Sequence, residues 1–471
     1  MGKRPTFSWV IVSVCTVAFL FRFDFYGLSV ALPTIAKYFN VSTENISLIF
    51  TTYLVFVSAG LLIAGRIEDK IGLKNGFKVG FIAFTIGSLL AAVSPSELFL
   101  ILSRAVQGIG GAFLISTTFA TVSQHFSKTT SVAVFGFVAI STELGSSFGS
   151  PAGGLLTEWV SWRGLFFADS LLGAFGLLSI LMASKDFQKM AFKKDPRPLD
   201  IIGCLFWFLS IGLLIFALNK GHRLGWSSPT FLTLILSSLL FGVLFYFRES
   251  RYTYPLFPIK LIGGIQGLGA LLIGFLSFSL IAGNSFLLPF FLEHVKMLTP
   301  SQVGLVFLAY SGSAAIVGLN AGKFARLASQ RVLISVALAL ISIGFTTMFF
   351  TIQLDGFFHV FAFLIIMGVG FGLFFPNNNS LLMSHAPTGE KGVFSGLFNT
   401  FNNVGGALGA CVFEIVYAWQ SSHIKQLATT DASDTSWMIP GFKDSYLLAV
   451  IIGVTATLIS LTLLLKKTQN A

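Results

Sequence analysis

The sequence predicts an all-α polytopic membrane protein, and three observations predict it. Of the 471 residues, 54% are hydrophobic and only 10% are charged, with a mean hydropathy of +0.84, which lies outside the range of soluble domains. Apolar runs follow one another along the whole chain. At ~1.5 Å of rise per residue each is long enough to cross a hydrocarbon core of ~30 Å. The basic residues gather in alternate turns between these runs, as the orientation of membrane helices requires.

The runs fall near residues 9–36, 46–64, 77–95, 97–122, 131–157, 163–183, 199–218, 229–247, 264–292, 301–322, 332–352, 357–384, 393–419 and 445–465, which makes 14 expected spans. Lys3 and Arg4 precede a run too long for a signal-peptide core and without a small-residue cleavage site, so the first span is expected to stay in the protein. Twenty-one of the 30 Lys and Arg residues fall in turns on the side of the termini and seven on the other, with Arg22 and Arg104 inside spans. This bias puts both termini in the cytoplasm of a multi-pass plasma-membrane protein. The net charge of +11 thus reflects topology and contact with anionic lipid, not a nucleic-acid surface. Tryptophans 9, 159, 162, 226, 419 and 437 lie near span ends, as in an aromatic belt.

No soluble domain interrupts the runs. The longest polar pieces are residues 184–198 and an outer segment at 420–442, expected to be flexible. Cys15, Cys204 and Cys411 sit far apart in apolar runs and the six histidines are scattered singly, so neither disulfides nor a metal site is expected. No G-x-x-x-x-G-K-[ST] loop is present, which speaks against direct use of ATP. The chain is read as a carrier without cofactor, not an enzyme. It has neither a ring of pore-lining charge for a channel nor an attached domain for a sensor.

Charges inside spans are the most informative residues, because each costs at least ~2.5–3.5 kcal/mol on insertion scales unless it meets a cavity or a partner. Asp24 lies about 15 residues into span one, roughly 22 Å from the inner surface, and Arg104 about 7 residues into the descending span four, roughly 10 Å below the outer surface. Those depths nearly coincide, and Glu143 in span five lies in the same zone. Asp24, Arg104 and Gln107 are therefore expected to face one aqueous cavity with Glu143 close by; a structural ion pair that holds helices together is the other reading. Arg22, two residues from Asp24, points to another side of its helix. In the second half, Asn377, Asn378 and Asn379 follow Pro376, and Asn399, Asn402 and Asn403 stand in another span. These amides, Asn377 and Asn403 foremost, either line the cavity or bridge helices. Glu414 is a candidate second titrating carboxylate.

The charged decapeptide from Gly65 to Lys74, GRIEDKIGLK, joins spans two and three and is expected to form a short aqueous turn closed by its glycines. Its Gly65, Asp69, Gly72 and Lys74 resemble the G-x-L-x-D-x-x-G-x-K/R loop of the major facilitator superfamily, with Ile67 at the Leu position. Gly322, Lys323, Arg326, Ser329 and Arg331 echo that loop at the turn after span ten, which suggests two related halves. Residues 104–112, RAVQGIGGA, match the superfamily's R-x-x-Q-G-x-G-x-A signature in span four. Gly145, Gly149, Pro151, Gly153 and Gly154 resemble the antiporter signature G-x-x-x-G-P-x-x-G-G, with Pro151 one place late and Ser150 at the usual Pro position. Residues 24–33, DFYGLSVALP, resemble the first-span pattern L-D-x-T-I-V-N-V-A-L-P of the fourteen-span drug:proton antiporters. Residues 162–169, WRGLFFAD, resemble that family's W-R-W-I-F-x-I-N, with Asp169 replacing Asn and adding a titratable group. Residues 199–203 and 225–227 resemble its signatures at the seventh span and the next outer turn. The resemblance runs in detail over the first half and in layout over the second.

The resemblance implies two six-helix bundles, residues 1–183 and 261–471, joined by a cytoplasmic turn and an extra helix pair at 184–260. It implies a proton-coupled secondary transporter that exports amphipathic or cationic small molecules by alternating access, working as a monomer in the lipid bilayer with small molecules and protons as its partners. Asp24 would exchange protons with substrate, Arg104 would tune it, and Asp69 would latch the inner loops. An importer or metabolite exchanger on the same fold is the alternative, kept open by the displaced Pro151.

Overall fold

The computed structural model describes residues 8–126, 128–183, 200–253, 264–385, 391–427 and 436–468. The described residues are helical with no strand, and 14 helices have 20 residues or more. In chain order they are α1 (Trp9–Phe39), α2 (Thr43–Ile71), α3 (Leu73–Ala92), α4 (Glu97–His125), α5 (Lys128–Trp159), α6 (Arg163–Met182), α7 (Ile201–Leu224) and α8 (Pro229–Arg251). They continue as α9 (Gly264–Phe290), α10 (Pro300–Leu319), α11 (Gln330–Thr351), α12 (Phe358–His385), α13 (Lys391–Leu427) and α14 (Ile439–Thr468). Each overlaps one expected span. Among the described residues, 12 are long and apolar enough to cross a membrane. The two others are α5 and α13, whose apolar stretches are diluted by serine, glycine and asparagine. Both are nonetheless packed among their neighbours.

Packing repeats between the first six helices and the last six. In the first set α1 packs on α5 and α6, α3 on α4 and α6, and α2 on α4. In the second α9 packs on α13 and α14, α11 on α12 and α14, and α10 on α12. The sets meet crosswise, α2 against α13 and α5 against α10, with α1 touching α9. Between them in sequence, α7 lies along the α2–α13 seam, where Asn219 and Lys220 donate to Ser47 and Asn45 of α2. α8 packs on α7 and is otherwise largely exposed. Arg248 at its end forms an ion pair with Asp200, the N-cap of α7, at 3.0 Å.

Glycines set these close approaches. A Cβ at Gly145 would stand 2.3 Å from the Phe19 carbonyl of α1, and one at Gly153 2.5 Å from that of Gly27. On the other side of α5 a Cβ at Gly154 would meet the Pro300 carbonyl at 2.3 Å, and one at Gly304 of α10 would meet the Ser150 carbonyl at 2.4 Å. Pro151 sits inside an uninterrupted α5. The second set repeats the device, because Cβ atoms at Gly405 and Gly409 of α13 would meet the Phe275 and Ser279 carbonyls of α9 at 2.4 and 2.2 Å. Such contacts let backbones approach where lipid offers no hydrophobic drive.

Two expectations are corrected. The decapeptide at 65–74 is not a loop: α2 continues to Ile71, α3 begins at Leu73, and Gly72 alone makes the turn at φ 85°. A single residue in that conformation reverses the chain, and Arg66, Glu68 and Lys70 before it are able helix formers. The outer segment at 420–442 is also shorter than expected, because α13 runs to Leu427, a 3-10 turn spans Ser436–Met438 and α14 starts at Ile439. The polar piece at 184–198 and the domain boundaries at 184 and 260 lie outside the described residues.

Candidate coupling site between helices one, four and six

Asp24 lies midway along α1 and Arg104 two turns into α4, and the two are brought face to face. The guanidinium donates from Nη1 to Asp24 Oδ1 at 2.6 Å and from Nη2 to Oδ2 at 3.0 Å. Parallel bonds of this kind are the strong, directional form of an arginine–carboxylate pair. Gln107, one turn on, accepts from Arg104 Nη1 and donates Nε2 to Asp24 Oδ1 at 3.2 Å and to Ser88 of α3 at 3.0 Å. Asp24 and Gln107 are fully buried and Arg104 is 1% exposed. The Tyr53 ring of α2 covers the guanidinium at 4.3 Å and the Phe166 ring of α6 lies at 5.8 Å.

The span-four signature makes this cluster possible. A Cβ at Gly108 would stand 2.9 Å from the Tyr53 carbonyl, and one at Gly110 would stand 2.3 Å from the Phe84 amide nitrogen. α2 and α3 therefore close on α4 just below Arg104, and their side chains cap the pair. A charge-assisted pair sealed this way is high-stakes: intact it orders four helices, and broken it leaves a bare charge in a medium that cannot solvate it.

Glu143 is not part of this cluster. It interacts electrostatically with Arg22, which leaves the opposite face of α1. The Arg22 guanidinium lies over the rings of Phe278 and Phe375 at 5.8 and 5.6 Å, so it reaches across to α9 and α12. Beside it the Tyr26 and Tyr310 rings stand 5.8 Å apart, against a cavity of about 10 Å³ also lined by Asn284, Ser285 and Phe307. That is room for about one water. α1 thus presents a closed ion-pair cluster inward to its own helix set and a half-buried, aromatic-lined cation to the other set.

The remaining predicted residues are dispersed. Asn377 is buried and donates to the Leu373 carbonyl of its own helix at 2.7 Å, and Asn403 likewise donates to Asn399 at 2.8 Å. The Oδ1 of Asn403 has no hydrogen-bond partner. Asn402 Oδ1 and Asn378 Nδ2 both border Gly274 of α9, where a Cβ would stand 2.7 and 3.5 Å from them. Glu414 is buried in α13 beside Cys411 and Tyr417. At the inner turn Asp69 is exposed, whereas Glu68 is 3% exposed and accepts from Ser116 and Thr117 of α4 at 3.0 and 2.5 Å. Gly65 lies against Ser116, and Gly76 leaves room for the Glu68 side chain. Gly72 is buried at the chain reversal, with Lys74 half-buried behind it. The carboxylate that ties this turn to the bundle is therefore Glu68. Asp69, its neighbour in the motif, lies on the exposed side of the turn, and only the helical phase of α2 tells the two apart.

Sequence reasoning left Arg22 and Tyr53 without a role and noted Asp169 only in passing. Asp169 of α6 is fully buried within electrostatic reach of Asp24 and Arg104.

This architecture, a helical bundle whose two sets of six repeat their packing and whose first set encloses a buried charge cluster, defines a class of membrane transporter. The Major Facilitator Superfamily model matches residues 14–410, and the chain belongs to that family. Among curated proteins it is similar to the riboflavin transporter RibZ of Clostridioides difficile, 25% identical over 94% of this chain and 95% of the relative. It is also similar to the multidrug resistance protein Stp of Mycobacterium tuberculosis, 25% identical over 86% and 75%, and to the puromycin resistance protein pur8 of Streptomyces alboniger, 24% identical over 100% and 94%. Among solved structures, the peptide transporter POT in complex with sulfate superposes with a TM-score of 0.69 at 15% identity, covering 98% of this chain and 97% of the other. That likeness is one of fold.

Proposed function

We propose that this chain is a proton-coupled secondary transporter of the plasma membrane that exports amphipathic or cationic small molecules by alternating access. In this reading all 14 long helices span the bilayer, both termini are cytoplasmic, and a monomer carries the activity. Residues 1–183 and 261–471 form two six-helix bundles, and 184–260 supply the added pair. α5 and α13 take their place as spans because they pack between the two sets, α5 on α1 and α10 and α13 on α9 and α2, where small and polar residues replace the apolar surface that lipid would require.

The observation that carries the reading is the bidentate Asp24–Arg104 pair, buried at mid-span with Gln107. A carboxylate held chiefly by a neighbouring cation is sensitive to any change of charge beside it, so a proton gained or lost at this cluster changes how firmly Arg104 holds Asp24. Such a charge-sensitive element is what couples a proton gradient to a change of conformation. The antibiotic-resistance names of the relatives support export. Gly154 of α5 and Gly304 of α10 let the outer ends of these two helices pack backbone to backbone, a closed outer gate in this reading, while Gly145, Gly149 and Gly153 seat α1 on the other side of α5.

In inverted membrane vesicles, an imposed pH gradient is expected to drive accumulation of cationic dyes by the wild type. Asp24→Asn is expected to abolish that accumulation. Retention of full gradient-driven accumulation by Asp24→Asn overturns the assignment.

A second reading, a metabolite carrier, is favoured by one observation. The surface α1 turns toward the opposing helix set carries Arg22 beside Glu143, a cation and an anion between aromatic rings, which suits a planar polar molecule as well as a cation. The riboflavin transporter among the relatives fits it. Net movement of riboflavin, and its direction, in the same vesicles separates the two.

A further inference from the structure

Asp169 is the one carboxylate of the buried cluster for which the ion pair provides nothing. It lies on α6 between Phe166, whose ring lies near the Arg104 guanidinium, and Gly173, where a Cβ would stand 2.4 Å from Thr85 Oγ1 of α3. Those three positions share one helical face, turned toward α1, α3 and α4. Asp169 is 0% exposed and neither of its oxygens has a hydrogen-bond partner. The charged groups within its electrostatic reach are Asp24 of α1 and Arg104 of α4. Tyr53 of α2 shares the cluster, and α3 adds the hydroxyls of Thr85 and Ser88.

The charges do not balance if both carboxylates are ionised. One guanidinium faces two aspartates in a dry site, and Asp24 already takes both of its terminal nitrogens. An ionised Asp169 would be a buried anion with no donor at all, an arrangement that costs several kcal/mol. One proton removes both difficulties, because it neutralises the excess charge and makes Asp169 a donor toward its neighbour.

We propose that Asp24 and Asp169 hold a single proton between them, resting on Asp169 in this closed conformation, and that Asp169 is the second member of the proton-coupling site. The proposal rests on the transporter reading above and deepens it. When the site opens, the Asp169 O–H bond breaks, the proton passes to water and the electron pair stays on the carboxylate. The new anion has a donor ready. Arg104 Nε, buried and without a partner in the closed cluster, is the third nitrogen of the same guanidinium. Arg104 then bridges two carboxylates, and its grip on Asp24 loosens. Loading the proton reverses these steps.

Infrared difference spectra of the purified full-length protein test the sharing directly, through the carbonyl stretch of a protonated carboxyl and its shift in heavy water. The wild type is expected to show one such band that Asp169→Asn lacks. Asp24→Asn is expected to lack it as well, because Asp169 alone with Arg104 then ionises, whereas Asp169→Glu is expected to keep it at a shifted position. A band that survives in Asp169→Asn, or one that persists in Asp24→Asn, overturns the shared proton. In proteoliposomes Asp169→Asn is expected to lose gradient-driven accumulation; full accumulation by that variant also overturns the proposal. If the wild type itself ignores the pH gradient, the transporter reading fails, and the spectra still decide whether the two aspartates share a proton.

Discussion

Asp24 gains its properties from what surrounds it. The carboxylate is held by two arginine nitrogens and a glutamine amide, beneath a tyrosine ring, in a place that water does not reach. Removal of one partner from such a pair leaves the other charged and unsolvated, at a cost of about 3–5 kcal/mol. Arg104→Gln is expected to lower the thermal stability of the detergent-solubilised protein by that order, and Asp24→Asn by less, because Asp169 then supplies the counter-charge to Arg104. The double variant is expected to cost clearly less than the two losses combined, and simple additivity in a double-mutant cycle contradicts the pairing. The charges at 24 and 104 were legible in the sequence because any charge in an apolar run demands an explanation, and counting residues at the helical rise brought them to one depth. Depth does not give direction around the helix. Glu143 shares the zone yet interacts with Arg22, and Asp69 shares the motif yet points outward while Glu68 faces α4.

At the scale of the helix, small residues decide who touches whom. Gly145 meets the Phe19 carbonyl with no space for a methyl group, so Gly145→Ala is expected to force α1 and α5 apart at a cost of about 1–3 kcal/mol. Gly136, nine residues earlier on the same helix, has nothing within 4 Å, and Gly136→Ala is expected to leave stability unchanged or slightly raised. Equal thermal shifts for the two variants contradict the packing account. The run of glycines in α5 is legible in the sequence because small residues at that spacing favour close helix contact. Its counterpart in α13, Gly405 and Gly409 against α9, went unread because no charge or proline marks it. The turn after α2 was misjudged for a related reason. A string of charged residues reads as a loop, although Arg, Glu and Lys are good helix formers and one glycine suffices to reverse the chain.

For the whole molecule, one contact between the two helix sets lies where the C-terminal end of α5 meets the N-terminal end of α10, and there the Ser301 amide donates to Glu158 at 2.9 Å. Alternating access requires this contact to open. On a cysteine-free background, Glu158→Cys with Ser301→Cys, joined by a short bifunctional thiol reagent, is expected to abolish transport, with recovery when a cleavable reagent is cut. Undiminished transport in the joined protein contradicts an outer gate at that place. The order of the helices follows the apolar runs, and among the described residues 12 of them are long and apolar enough to cross a membrane. The crosswise contacts, α2 with α13 and α5 with α10, were not legible, since pairing between distant spans leaves no periodic trace in a single sequence. The central claim is that the buried pair of α1 and α4 ties proton movement to substrate movement. Its most direct test traps a pH-sensitive dye inside proteoliposomes and applies a substrate gradient with no initial pH difference. The account predicts a substrate-dependent proton flux in the wild type and none in Asp24→Asn. Equal fluxes in both, or no flux in a wild type that transports, would contradict it.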